Sequence, residues 1–442
     1  MLVGESLPEE SMRILWICNI LLPMIAEKLQ MDSSVKEGWI TGLLSKIIQN
    51  GKTNKITLAV AFPMNENLKN FHDVYIFNGM AVECFGFYEE PEQLEQYDSN
   101  MESRFEDIYR TFQPDVVHIW GTEYGHAYAA AKAFQKPERI LLGIQGIISL
   151  CAKEYMAGLQ EAEQKKKSIR DRLKKDGLLE QQKKFALRGE RETRLLLYVG
   201  NATGRTEFDR KFIEQSEQKI QYYALNETMR PCFYSDRWDY ATCQKHEIFF
   251  SQADYPLKGF HILLQAMPII LKEYPDATIA VAGTDIIHKD GVLGFLKVSA
   301  YGKYLKRLIV QNGLVGKVHF LGKRSAEEMK QAYLHCHSFV CASSLENSPN
   351  SVAEAMLLGT PVVAAKVGGI PSMIADGREG LLFEKENAED LARKLLKMWQ
   401  ESDFPLSRRI SQAAAARASL THHPQKNYER LMEIYQTISE KK

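Results

Sequence analysis

Short apolar runs separated by longer amphipathic stretches set the pattern of this chain. RILWICN (13–19), KITLAVAF (55–62), DVVHIW (115–120) and RILLGIQG (139–146) are nearly continuous apolar runs. Runs of this length that end in a loop read as strands buried on both faces of a parallel sheet. Helical patterns such as GWITGLLSKIIQ (38–49) and AYAAAKAF (127–134) separate them. Strands alternating with helices predict right-handed β-α-β units and a doubly wound sheet. A second series follows: strand EIFFSQA (247–253), helix PLKGFHILLQAMPIILKEY (256–274) opened by Pro256, and strands ATIAVAG (277–283) and KVHFLG (317–322). It continues with helix AEEMKQAYLHC (326–336), strand SFVCAS (338–343), a helix from about Asn350, and strand PVVAAKVGG (361–369).

The pattern predicts an α/β chain with two Rossmann-like, doubly wound domains facing a cleft. The first spans 12–240 and the second 241–420. The amphipathic stretch NYERLMEIYQTIS (427–439), within 421–442, is long enough to cross back onto the first domain. Residues 1–11 are polar and read as a loose arm. Residues 152–195 stand apart as a charged helical insertion in the first domain. Within it, 164–184 holds nine Lys or Arg against three Asp or Glu, a local net charge of 9 − 3 = +6. One reading is a basic surface for anionic lipid or a charged acceptor. The plainer one is a solvated helical face.

Composition narrows the classes. A length of 442 residues exceeds one ordinary core and suits two domains. Lys plus Arg and Asp plus Glu are both 56, so there is no electrostatic case for nucleic acid as a partner. The seven cysteines have no CxxC pairing and read as reduced and mostly buried, as in a cytoplasmic protein. His335 and His337 flank Cys336, which we read as a chance cluster at a helix-to-strand junction. The apolar run 14–25 contains Asn19 and Pro23 and is too short to span a bilayer. Nothing in it reads as a signal peptide. The expected location is cytoplasmic, with peripheral contact at the inner face of the membrane as the extension the basic insertion suggests.

The chemistry concentrates in SSLENSPNSVAEAMLLGTPVVAAKVGGIPSMIADGREGLLF (343–383). A nucleotide diphosphate needs exposed backbone N–H groups at a helix start, and Pro349-Asn350-Ser351 is a helix opening with small polar residues. A ribose diol needs one carboxylate that accepts two hydrogen bonds, and Glu354 lies one turn into that helix. Sugar hydroxyls need another acceptor, and Glu346 is on the preceding loop, eight positions earlier. Gly368 and Gly369 read as glycines that leave a ligand room at the sheet's carboxyl edge. Lys258 reads as an anion-binding cation, because a lysine at a helix start opposes the helix dipole unless an anion sits there.

These residues match the Glu-x7-Glu motif of the large retaining glycosyltransferase family four, and the chain resembles that family over roughly 12–440. The combined pattern E-N-S-P-N-S-x-x-E-A-M, G-x-P-V-V and G-G carries the resemblance. YPLKG (255–259) and GRTEFDR (204–210) are similar to the branch common in bacterial surface-polysaccharide clusters. The resemblance implies the GT-B fold and transfer from a nucleotide-sugar, a UDP-sugar by family frequency, to a glycan, lipid-linked or other acceptor. It places Glu346 and Lys258 at the reacting centre, and Glu354, Asn350, Ser351, Gln252 and Gly283 around the donor. It also implies no cofactor, and no essential metal is expected: no Asp-x-Asp motif lies near the donor residues.

Three departures matter. The family has an arginine six positions before its lysine, where this chain has Gln252. Arg205 or Arg324 is a candidate replacement, since a leaving diphosphate without a metal needs positive charge. For Arg205, the competing reading is a salt bridge to Asp209 or Glu207. The family often carries two histidines after the DVVH strand; here His118 is followed by Trp120, with Glu123 and His126 just beyond. His126 is a candidate contact for a donor-sugar hydroxyl or the acceptor, whereas His118 also reads as a satisfied core histidine. The family's first-loop Gly-Gly is absent, and Gly38 is the nearest candidate. Two other functions remain compatible with these residues: a nucleotide-sugar 2-epimerase and a catalytically silent partner of another transferase. No GxGxxG follows a strand, which argues against a nicotinamide dehydrogenase.

Overall fold

The computed structural model describes residues 11–32, 38–51, 53, 55–288, 294–401 and 405–441. The first sheet comprises β1 (Met12–Ile17), β2 (Ile56–Pro63), β3 (His72–Phe77), β4 (Met80–Phe87), β5 (Val116–Trp120), β6 (Ile140–Gly143), β7 (Asn201–Gly204) and β8 (Gln221–Ala224). Their order is β3-β4-β2-β1-β5-β6-β7-β8, and every pairing except β3 with β4 is parallel. The second sheet comprises β9 (Gln244–Phe250), β10 (Thr278–Ala282), β11 (Val318–Gly322), β12 (Cys336–Cys341), β13 (Val362–Ala365) and β14 (Leu381–Phe383). It is wholly parallel, in the order β11-β10-β9-β12-β13-β14.

The apolar runs became strands because both of their faces are covered. Ile14, Leu15, Trp16 and Ile17 are fully buried in β1, as are Val362, Val363 and Ala364 in β13. Each sheet reverses its winding direction once, at β1/β5 and at β9/β12. Crevices that receive ligands form at the carboxyl ends of strands at such points. The antiparallel hairpin β3–β4 was not foreseen. Its turn is Asn78-Gly79, both at positive φ (46° and 78°), a backbone that suits Asn-Gly and closes the ladder between Phe77 and Met80.

Two element readings need correction. The expected single helix 256–274 is divided. Pro256–Lys258 forms one tight turn, Gly259 adopts φ 72°, and the helix proper runs Phe260–Glu273. A side chain on Gly259 would run into the carbonyl oxygen of Ala342, so the turn packs directly on the backbone after β12. The charged insertion is also more than a solvated face. It folds into helices Ile148–Glu154, Glu161–Gln164, Ile169–Lys174 and Leu178–Leu195, which reach the second domain. Tyr155 stacks parallel to Tyr255, Asp171 accepts from the Ala300 N–H at 2.7 Å, and Glu163 pairs with Arg307 at 2.7 Å. Much of its positive charge is met locally, as in Lys166 with Glu163 and Arg170 with Asp176.

The last helix, Pro424–Ser439, crosses back onto the first domain as expected. Its Tyr435 hydroxyl accepts from Trp16 Nε1 at 2.8 Å and lies 2.6 Å from His118 Nδ1. None of the seven cysteines forms a disulfide, and five of them are buried. No helix among the described residues is long and apolar enough to cross a membrane.

Candidate active site

The second sheet's reversal point gathers the predicted donor residues. Lys258 follows β9, Gly283 follows β10 and Glu346 follows β12. Lys258 Nζ lies 2.7 Å from Glu346 Oε1, and the Ser343 hydroxyl donates to the same oxygen at 2.7 Å. The side chains of Lys258 and Glu346 are 22% and 14% exposed. Burial alone would lower the pKa of the Lys258 ammonium; the Glu346 carboxylate outweighs it and holds the group well above its ordinary value. The anion that the lysine needs is therefore, in this structure, Glu346.

The helix Asn350–Leu358 opens immediately beyond, after Pro349. No side chain caps it; the Val352 and Ala353 N–H groups bond the Pro349 carbonyl at 3.0 and 3.2 Å, so the helix mouth is formed by Asn350 and Ser351. Glu354 lies on its buried side and is 6% exposed. Burial raises its pKa, and Arg230 works against that rise. Arg230 Nε and Nη2 both bond Glu354 Oε1, at 3.1 and 2.7 Å. Nearby, Ser344 Oγ is buried without a hydrogen-bond partner among the described residues, and the Ser344 N–H bonds the Leu257 carbonyl beside the lysine turn at 2.8 Å.

The glycine pair has a different role from the one expected. β13 ends at Ala365, and side chains on Gly368 and Gly369 would collide with the carbonyl oxygens of Glu346 and Asn347. The Gly369 N–H bonds the Glu346 carbonyl at 2.9 Å. The glycines thus let one backbone lie against another and fix the loop that carries Glu346. Asn347 extends that loop to the first domain, donating Nδ2 to Asp209 Oδ1 at 2.6 Å.

Gln252 Nε2 reaches Asp254 Oδ2 at 3.3 Å, and Gly283 has φ 98° beside the same carboxylate. Arg205 is held on the first-domain side. Its guanidinium pairs with Glu227 and donates Nη2 to the Gln145 carbonyl at 3.0 Å, while its backbone N–H goes to Asp209. The ion pair is with Glu227, brought in by the connection after β8, while Asp209 takes the backbone N–H. Arg324 pairs with Glu328 at its own helix start.

The first-domain candidates divide. His118 belongs to the core rather than the cleft: it is fully buried, with Trp120 stacked 3.6 Å away. His126 is 1% exposed, and its Nδ1 lies 2.7 Å from Glu89 Oε2. Glu89 also accepts from the Gly125 N–H at 2.6 Å, so the pair anchors the start of the helix Gly125–Phe134. Glu123 stays near the site: its side chain lies against Gly121, and it figures with Glu346, Glu192 and Lys258 in the electrostatic surroundings of Cys151. Burial and these carboxylates push the Cys151 thiol up to about 12. Gly38 opens the helix Gly38–Asn50; residues 33–37, the preceding part of that loop, lie outside the described residues.

Residues 237–417 match the model of the family described as glycosyl transferases group 1. Among curated relatives, a D-inositol 3-phosphate glycosyltransferase of Corynebacterium urealyticum is 29% identical over 183 residues, 41% of each chain. Spore coat protein SA of Bacillus subtilis is 27% identical over 184 residues, 41% of this chain and 46% of that one. The similarity therefore spans less than half the length of these relatives. Among solved structures, sucrose-phosphate synthase of Thermosynechococcus elongatus aligns over 97% of this chain and 99% of its own, with TM-score 0.68 and 14% identity. Anabaena HepE in complex with UDP and glucose aligns over 96% and 100%, with TM-score 0.62 and 17% identity. The fold is that of the GT-B glycosyltransferases. Residues 237–417 match the glycosyl transferases group 1 model, in line with the Glu-x7-Glu resemblance.

Proposed function

We propose that this protein is a retaining, metal-independent glycosyltransferase. It moves a sugar from a nucleotide-sugar, a UDP-sugar by preference, to a glycan or lipid-linked acceptor, in the synthesis of a bacterial surface polysaccharide. The observation that carries this reading is the convergence of Lys258, Glu346 and the uncapped start of helix 350–358 at one crevice, with Glu354 one turn inside. The solved HepE complex with UDP and glucose supports the donor class. The resemblance of YPLKG and GRTEFDR to surface-polysaccharide enzymes supports the process.

In this mechanism the diphosphate lies at the helix mouth around Asn350 and Ser351, and Lys258 counters the charge that grows as the bond to the sugar breaks. Glu346, held by Lys258 and Ser343, accepts from hydroxyls of the donor sugar. Glu354 accepts from the ribose. The acceptor enters from the first domain on the face the diphosphate leaves, and the leaving phosphate takes its proton. The protein then contributes position, charge and exclusion of water.

The test is incubation with UDP-, GDP- and ADP-sugars, with and without acceptor glycans and with EDTA, reading product and anomeric configuration by NMR. Acceptor-dependent transfer with retained configuration in EDTA is expected. Loss on chelation restored by magnesium or manganese would overturn the metal-free mechanism. Turnover without acceptor would indicate the epimerase. Absence of nucleotide binding would indicate the silent partner.

A further inference from the structure

Arg230 lies on the segment that carries the chain from the first sheet to the second, just before the turn Pro231–Tyr234. Its guanidinium sits over the Phe233 ring at 4.8 Å. Both of its donors to Glu354 converge on one oxygen, Oε1, at 3.1 and 2.7 Å, and leave Oε2 to other partners. The two side chains are 18% and 8% exposed, so water screens this pair little. The other titratable groups facing Glu354 are the Tyr333 phenol, from the helix Ala326–His335, and the Cys232 thiol of the connecting segment. Lys330 and Glu327, which also act on Cys232, pair with each other at 2.7 Å. Among the described residues, Arg230 is the cation that contacts Glu354.

We infer that Arg230 is a positioning residue for nucleotide recognition. By holding Oε1 of Glu354 it fixes the carboxylate's orientation, so that Oε2 faces the helix mouth and accepts from the ribose hydroxyls of a nucleoside diphosphate sugar. This rests on the donor site proposed above. A buried carboxyl without a cation beside it favours its protonated form, and that form accepts hydroxyl hydrogens poorly. Arg230 therefore supplies both the orientation and the charge. Because it belongs to the connecting segment, the same bond ties the donor helix to the crossing between domains.

UDP binding to the full chain, measured by calorimetry from about pH 5.5 to about pH 8.5, tests the inference. Arg230→Gln should bind UDP on the order of tenfold more weakly than wild type at the acid end. The gap should narrow as pH rises and Glu354 ionises unaided. Arg230→Lys, which keeps a cation, should recover much of the affinity. Glu354→Gln should weaken binding at every pH, and adding Arg230→Gln to it should weaken it no further. The inference is overturned if Arg230→Gln binds as wild type throughout. It is equally overturned if binding falls by the same factor at every pH alongside a lower melting temperature, because that is a purely structural loss. Should Arg230→Gln fail to fold, Arg230→Met, which removes the cation but keeps an apolar stem over the Phe233 ring, decides: a pH profile identical to wild type overturns the inference, and one weakened toward acid supports it. If wild type binds no UDP, GDP or ADP at any pH, the nucleotide reading falls together with this one. If wild type binds, Glu354→Gln weakens it and the Arg230 variants do not, only this inference falls.

Discussion

At the scale of single residues, the site is built from charges that share one oxygen. Glu346 Oε1 receives Lys258 and Ser343, and Glu354 Oε1 receives Arg230. Such sharing aims the carboxylates before a ligand arrives, which is the kind of preorganisation that stabilises developing charge. Lys258→Met is expected to lower turnover by about 10²–10³-fold, the scale of one lost electrostatic donor, and to change donor affinity less. Steady-state kinetics with a separate binding measurement checks this; unchanged turnover would remove Lys258 from the reacting centre. The Glu89–His126 pair concerns stability. Burial pushes the Glu89 carboxyl up, but His126 and the N–H groups of Gly125 and His126 bring it below its ordinary value. A depressed carboxyl stabilises the fold above its unfolded pKa of about 4.3 and ceases to as pH falls through the folded value. Glu89→Gln should therefore cost roughly 1–3 kcal/mol at neutral pH and less in acid. Denaturant titrations at the two pH values should show the gap closing; a gap that widens in acid would contradict the assignment.

At the scale of elements, the loop between β12 and the donor helix is shaped from outside itself. Gly369 admits the Asn347 carbonyl, and its other near neighbour is the Thr206 hydroxyl of the first domain. Gly369→Ala is expected to displace the Glu346 loop. Turnover should fall by about tenfold or more, and stability should drop by about 1–3 kcal/mol, the range for an overpacked site. Kinetics and thermal melting on one preparation test it, and full activity would show that the loop can give way. The insertion is a second element whose position matters. Glu192, on Leu178–Leu195, accepts from the Ile148 and Ser149 N–H groups at 3.1 and 3.0 Å and so pins the helix that carries Cys151 toward the lysine–glutamate pair.

At the scale of the whole molecule, the two domains are tied together at three places. Asn347 meets Asp209 on one side, the insertion reaches Tyr255, Arg307 and Lys385 on another, and the terminal helix returns to the first sheet. Tyr435 is the anchor of that return. Removing its hydroxyl leaves the Trp16 indole N–H and His118 Nδ1 without a partner in a dry core. Tyr435→Phe should thus cost about 1–3 kcal/mol per orphaned group. Chemical denaturation would reveal it, and a neutral effect would mean that the core admits water there.

The sequence by itself determined the two parallel sheets, because a strand buried on both faces must be apolar throughout and the helices between must keep their own period. It also determined that Glu346, Asn350, Ser351 and Glu354 cluster, because they lie within one loop and the first turns of one helix, where local geometry sets their spacing. Part of the remainder was local as well: Asn78-Gly79 marks a hairpin whose first strand is largely exposed and lacks an apolar run. The rest was decided by tertiary structure. Arg230 and Glu354 stand 124 positions apart, and nothing in either segment names the other. Arg205 met Glu227, His126 met Glu89 and the basic insertion met the second domain for the same reason. Periodicity states which face of an element is buried; the order of strands in the folded sheets decides what that face is buried against.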